Sequence, residues 1–249
     1  PRHWGWLIGY IFSLTILTLT KENAAFVVAA IFGVLVLNRY LRAGTVTPQL
    51  LFATVAGPAI GILILAALMG GVGEWIAFNR MFIVKSRANF YSVLAQDGPW
   101  YRYAVDWLIV SPALVVFACG RIFQTRRSDQ VGTFLVAFLL LSFIAMSTVK
   151  YGISLRYAAF WDLPLCWLAC SQAIALSRRF AQVRPALVLS GLVLVLSAVG
   201  VNQYVRFFVT GAVYDPITAA LVWSSGMEKA IPDDVPSTIH PAAKAPTAP

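Results

Sequence analysis

Residues 4–42 read WGWLIGYIFSLTILTLTKENAAFVVAAIFGVLVLNRYLR, and how this stretch is divided decides the fold. It is apolar almost throughout, and one charged pair, Lys21 and Glu22, interrupts it. As a single helix, at ~1.5 Å per residue, it would be far too long for a hydrocarbon core of about 30 Å. Split at Thr20-Lys21-Glu22-Asn23, it becomes two spans that turn at a membrane face. A lysine and a glutamate beside lipid are costly to dehydrate, so the pair needs a partner or a role.

Composition agrees with that division. The 249 residues are 59% hydrophobic and only 12% charged, with a mean hydropathy of +0.77. A soluble domain carries about 25% charge, so the sequence predicts an integral membrane protein. The apolar runs are long and continuous, which favours helices; a membrane barrel shows ~10-residue segments of alternating polarity. The net charge of +9 does not call for nucleic acid, because much of it falls in short loops between spans, where it orients the chain. Cys119, Cys166 and Cys170 lie in or at the end of apolar runs with no histidine nearby. They are expected to be buried structural residues, not a disulfide or a metal site. The chain opens on Pro1-Arg2-His3 without an initiator Met or a signal peptide and is expected to belong to a longer protein.

Seven spans are predicted, at 4–20, 23–41, 47–71, 105–120, 131–149, 157–177 and 185–204. The expected fold is all-α: a polytopic transmembrane bundle over 1–223 with a partly helical outer loop, then a Pro/Ala-rich tail over 224–249 that predicts disorder. Ala53, Gly57 and Gly61 recur at helical spacing and predict close helix contact in the third span. Gly57-Pro58, Pro112 and Pro164 are read as tolerated kinks. Arg39 and Arg42, then Arg121, Arg126 and Arg127, then Arg178, Arg179 and Arg184 alternate with the spans and mark the cytoplasmic side. The outer side then receives Lys21-Glu22, loop 72–104, loop 150–156 and the tail.

Loop 72–104 interleaves Glu74, Arg80, Lys85, Arg87, Asp97 and Arg102 with aromatics that include Trp100 and Tyr101. Residues 75–82 suit an amphipathic helix in the interface, and Gly98-Pro99 suits a turn. An aromatic belt with solvated charges accounts for part of this. The positive-inside rule nevertheless predicts few cations here, whereas Lys21, Arg80, Lys85, Arg87, Arg102, Lys150 and Arg156 all fall on this side. That excess points to an anionic ligand, and a phosphate at the membrane surface fits it. The length and charge of 79–98 predict a segment that orders when ligand binds.

Four stretches together resemble the polytopic GT-C glycosyltransferases. They are Thr20-Lys21-Glu22; Gly98-Pro99-Trp100-Tyr101-Arg102-Tyr103 with Asp106 and Ser111-Pro112; Ser154-Leu155-Arg156-Tyr157 with Leu163-Pro164; and Gln203-Tyr204 with Tyr214-Asp215-Pro216. The nearest resemblance is to protein O-mannosyltransferases and aminoarabinose-transferase-like bacterial enzymes, and it covers most of 1–223. It implies a polyprenyl-phosphate-sugar donor and an acceptor glycan, lipid or protein outside the cytoplasm, at a bacterial inner membrane with an outward-facing site. The donor phosphate would meet Lys21, Arg156, Arg87 and Arg102. Glu22, Lys85, Asp97, Trp100, Tyr101 and Tyr157 are the further substrate-site candidates. The family's acidic catalytic residues lie near its N-terminus, so no base is assigned here. No cofactor is implied with certainty, and a divalent metal is left open. A flippase for a lipid-linked anion and a non-catalytic assembly subunit are the alternatives.

The charge alternation generates a direct expectation. Single cysteines at Ala88 and Ser128 should differ in labelling by an impermeant reagent in intact cells, Ala88 reacting and Ser128 protected. Equal labelling rejects the topology.

Overall fold

A computed structural model describes residues 4–20, 23–88, 98–126, 128–149, 155–180 and 184–205. The expected tail, 224–249, and the segment 89–97 of the expected ligand-ordered loop lie outside them. The described residues form helices and no strand: α1 Trp4–Thr20, α2 Ala24–Leu41, α3 Pro48–Leu68, α4 Val72–Ala88, α5 Arg102–Val110, α6 Pro112–Gln124, α7 Gln130–Ser147, α8 Asp162–Phe180 and α9 Pro185–Tyr204. Two 3-10 turns, Leu155–Tyr157 and Ala159–Trp161, precede α8.

The first helix is apolar yet rich in hydroxyls, and the reason it tolerates them is local. Ser13, Thr15 and Thr18 donate to the carbonyls of Gly9, Ile11 and Leu14 at 2.8, 2.9 and 2.9 Å. Thr20 reaches Leu17 at 2.8 Å. Each hydroxyl is satisfied by its own helix, as a water-free surrounding requires. Helix α1 ends at Thr20, and α2 begins at Ala24 after a turn residue, Asn23.

The small residues of α3 bring α1 close. A methyl placed on Gly57 would lie 2.7 Å from Leu14 Cβ and 2.9 Å from the Ile11 carbonyl oxygen. On Gly61 it would lie 2.8 Å from Thr18 Cβ. At this distance Thr15 Oγ1 also contacts the Gly57 carbonyl at 2.9 Å, and the Tyr10 and Thr54 hydroxyls are 3.0 Å apart. The pairs 10–54, 15–57 and 18–61 ascend together, so α1 and α3 run parallel with α2 returning between them in sequence. The helix continues through Pro58.

The remaining helices depart from the sequence reading in four ways. Residues 72–88 form one helix, longer than the expected 75–82, because no proline interrupts them. The span expected at 105–120 is two helices bent by 119° at Ser111-Pro112. Proline has no N–H and pushes the preceding residue out of the α region. Ser111 accordingly sits at φ −144°, ψ 64°, its N–H still bonded to Trp107 O. Pro164 falls in the first turns of α8 and does no such damage. Third, Cys119, Cys166 and Cys170 are exposed on the faces of α6 and α8 and are not buried in the bundle. Fourth, among the described residues four helical stretches are long and apolar enough to cross a membrane, Ala24–Leu41, Pro48–Leu68, Gln130–Ser147 and Ala159–Arg179, or five if the bent pair counts as one. That is fewer than seven. Helix α1, with 17 residues, is ~26 Å long against a core of about 30 Å. The apolar part of α9, Ala186–Asn202, is equally short. The apolar spans nevertheless mark an integral membrane protein.

The core lies between α2, α5, α7 and α8, with Val34, Tyr103, Phe138 and Leu168 among its buried members. At the corner between α6 and α7, Asp129 caps α7 by accepting from Gly132 N–H at 2.9 Å and meets Arg121 Nη2 at 2.6 Å. The Gly132 bond, with Arg121 assisting, holds the Asp129 carboxyl below its ordinary range. A depressed carboxyl stabilises the fold above its unfolded pKa, and that contribution disappears as pH falls through the folded value.

Two outcomes follow. Gly57→Ala forces the added carbon into Leu14 and the Ile11 carbonyl and should cost about 1–3 kcal/mol in detergent unfolding. Asp129→Ala should cost about 1 kcal/mol at neutral pH, and the difference from the parent should vanish below the ordinary carboxylate range. A pH-independent difference would assign the loss to something other than the carboxylate.

Candidate functional site

Several elements meet at one end of the bundle, and polar contacts tie them there. Asn23, at the start of α2, donates from Nδ2 to the carbonyl of Tyr157 at 2.9 Å. Four residues on, the indole of Trp161 donates to Ser142 Oγ at 2.8 Å. Ser142 passes its own proton to the Phe138 carbonyl at 2.7 Å, so one hydroxyl serves both roles. The Tyr103 ring stands edge-on to Trp161 at 5.3 Å, and Phe143 bridges Trp161 and Trp100 at 5.9 and 6.2 Å. Offset and edge contacts of this kind are the favoured aromatic arrangements.

The start of α5 carries the buried charges. Arg102 is 4% exposed, and its Nε lies 3.7 Å from Asp106 Oδ2, one helical turn away. Gly98 makes room for the guanidinium stem, since a Cβ there would lie 2.6 Å from Arg102 Cδ. Trp107 follows, its indole N–H buried with no hydrogen-bond partner among the described residues. Trp100 and Tyr101, by contrast, are exposed at this end.

The sequence-derived candidates distribute unevenly. Lys21, Glu22 and Asp97 lie outside the described residues. Arg156 belongs to the first 3-10 turn and Arg87 to α4, and their side chains lie outside what is described. Tyr157 is half-buried and contributes its carbonyl to Asn23. Arg102 is buried, with its Nε 3.7 Å from Asp106 Oδ2. Lys85 is exposed on α4. Since α1 and α3 run parallel, α4 leaves from the end at which α1 stops and α2 starts.

Asn23, Asp106, Ser142 and Trp161 were not assigned from sequence. Asp106 was legible: a carboxylate four residues after an arginine, inside an apolar run, is an intramembrane pair by spacing. Ser142 and Trp161 carry no such signal, because their partnership joins different helices. Among the described residues, no group of three His, Cys, Asp or Glu side chains could hold a metal ion. Comparison with protein-family models, curated proteins and solved structures finds no match to this chain.

The buried pair makes a quantitative prediction. Removing one member of a buried ion pair takes away the other's counter-charge and costs about 3–5 kcal/mol. Arg102→Ala and Asp106→Ala should each destabilise by that order in denaturant titrations. Arg102→Met with Asp106→Leu should recover most of the loss. A double variant no better than either single one would show that the charges themselves are required.

Proposed function

We propose that this chain is part of an integral-membrane glycosyltransferase of the GT-C type. It transfers a sugar from a polyprenyl-phosphate donor to an acceptor on the outer face of a bacterial inner membrane. The observation that supports this reading is the Asn23–Tyr157 hydrogen bond with the Trp100–Phe143–Trp161 contacts. Through them, Asn23, which follows Thr20-Lys21-Glu22 in sequence, Trp100 of Gly98–Tyr103 and Tyr157 of Ser154-Leu155-Arg156-Tyr157 share one end of the bundle.

In the proposed reaction an acceptor hydroxyl oxygen forms a bond to the anomeric carbon. The carbon–oxygen bond to the lipid phosphate breaks, and the phosphate leaves with the electron pair. A base takes the hydroxyl proton, and cations stabilise the charge that develops on the leaving oxygen. Lys21 and Arg156 are the cations assigned to that phosphate. Arg102, buried against Asp106, acts as a positioning residue that fixes the start of α5 and the exposed Trp100 and Tyr101 beside it.

A second reading, a flippase for a lipid-linked anion, is favoured by the 119° break at Ser111-Pro112, since transporters bind substrate at interrupted helices. Purified protein given lipid-linked sugar and acceptor separates the two, because only the transferase forms a glycosidic product. Lys21→Ala should insert and fold normally yet lose ~2–4 kcal/mol of transition-state stabilisation in initial rate. Lys21→Arg should recover part of it, because a planar fork replaces a point charge. Parent rate and donor affinity in Lys21→Ala would remove Lys21 from the site.

A further inference from the structure

Helix α4 carries an apolar stripe that the described chain leaves uncovered, and we propose that this stripe lies in the membrane interface with Arg80 and Lys85 on anionic lipid headgroups. The inference does not depend on glycosyl transfer.

Val72, Trp75, Ile76, Phe82 and Ile83 fall on one side of α4 at helical spacing. Val72, Ile76, Phe82 and Ile83 are 55%, 41%, 47% and 52% exposed, although the helix follows directly on α3. Asn79 and Ser86 are the polar residues within the stripe, and Asn79 turns its amide back to donate to Trp75 O at 2.8 Å. Phe78 flanks the stripe beside Phe82, and Ala77, Met81 and Val84 are apolar residues on the other side.

The connection to α3 says what covers the stripe. Pro48–Leu68 is apolar and long enough to cross the membrane, and only Met69, Gly70 and Gly71 separate it from α4. Helix α4 therefore starts at a membrane face. Gly70 and Gly71 have φ of +91° and +134°, left-handed values that side-chain-bearing residues rarely adopt, so the turn between the helices is built into the sequence. Helix α4 cannot itself cross, because its 17 residues include Glu74, Arg80, Lys85 and Arg87. A helix with an apolar face, aromatic residues and a cationic excess, starting at the bilayer surface, lies in the interface plane. Arg80 and Lys85 are exposed outside the stripe, where headgroup phosphates attract them.

The test uses the whole chain in liposomes, with Cys119, Cys166 and Cys170 replaced by serine. Spin labels are placed singly at Ile76, Ile83, Ala77 and Val84, in phosphatidylcholine with and without phosphatidylglycerol. At Ile76 and Ile83, collision with lipid-soluble oxygen should exceed collision with an aqueous nickel chelate several-fold, and at Ala77 and Val84 the order should reverse. Omitting phosphatidylglycerol, or introducing Arg80→Gln with Lys85→Gln, should raise nickel access at Ile83 several-fold. Uniform nickel access around the helix overturns the proposal. So does shielding of Ile76 and Ile83 from both reagents, which would mean that protein covers the stripe. Indifference to anionic lipid and to the double substitution overturns the headgroup contact.

Discussion

A polar group left without a partner in hydrocarbon costs several kcal/mol, and this fold is arranged around avoiding that cost. The serine and threonine hydroxyls of α1 bond back along their own helix. Where a side chain cannot be satisfied locally, it joins distant elements. Asn23 reaches Tyr157 across 134 residues of sequence, and Trp161 reaches Ser142. In water such bonds would add little, because each group could bond solvent instead. In a dry bundle they decide which helix ends meet.

Two backbone devices set the layout around those bonds. Gly57 and Gly61 remove the side chains that would hold α1 away from α3, and close contact replaces the hydrophobic drive that lipid cannot supply. Pro112 does the opposite, ending one helix and starting another at 119°. That break sends α5 into the bundle on its own course. Tyr103, Asp106 and Trp107 are thereby buried where a straight span would have carried them elsewhere.

The arrangement concentrates chemistry at one end. The buried Arg102–Asp106 pair, the aromatic cluster around Trp161 and Asn23 at the start of α2 share it, and α4 departs from it. The proposed donor site and the proposed interfacial helix would then face the same layer of lipid headgroups. A lipid-linked substrate presents its phosphate in that layer, so the glycosyl-transfer and membrane-surface readings are mutually consistent while resting on different residues.

By itself the sequence determined the membrane class, the division into a helix ending at Thr20 and one starting at Ala24, and the close contact at Gly57 and Gly61. These follow from local quantities: hydropathy over a window, a charged pair in an apolar run, small residues at helical spacing. It also marked Trp100, Tyr101 and Tyr157 as residues of one end. It did not foresee that Pro112 would break a span rather than kink it, because a proline's effect depends on whether neighbours hold the two halves in line; Pro58, in α3, leaves its helix continuous. Nor did it distinguish Arg102 from the other cations of its loop. Only the tertiary structure decided that, by burying Arg102 against Asp106. Burial depends on which helices pack together, and no window of sequence contains both sides of that contact.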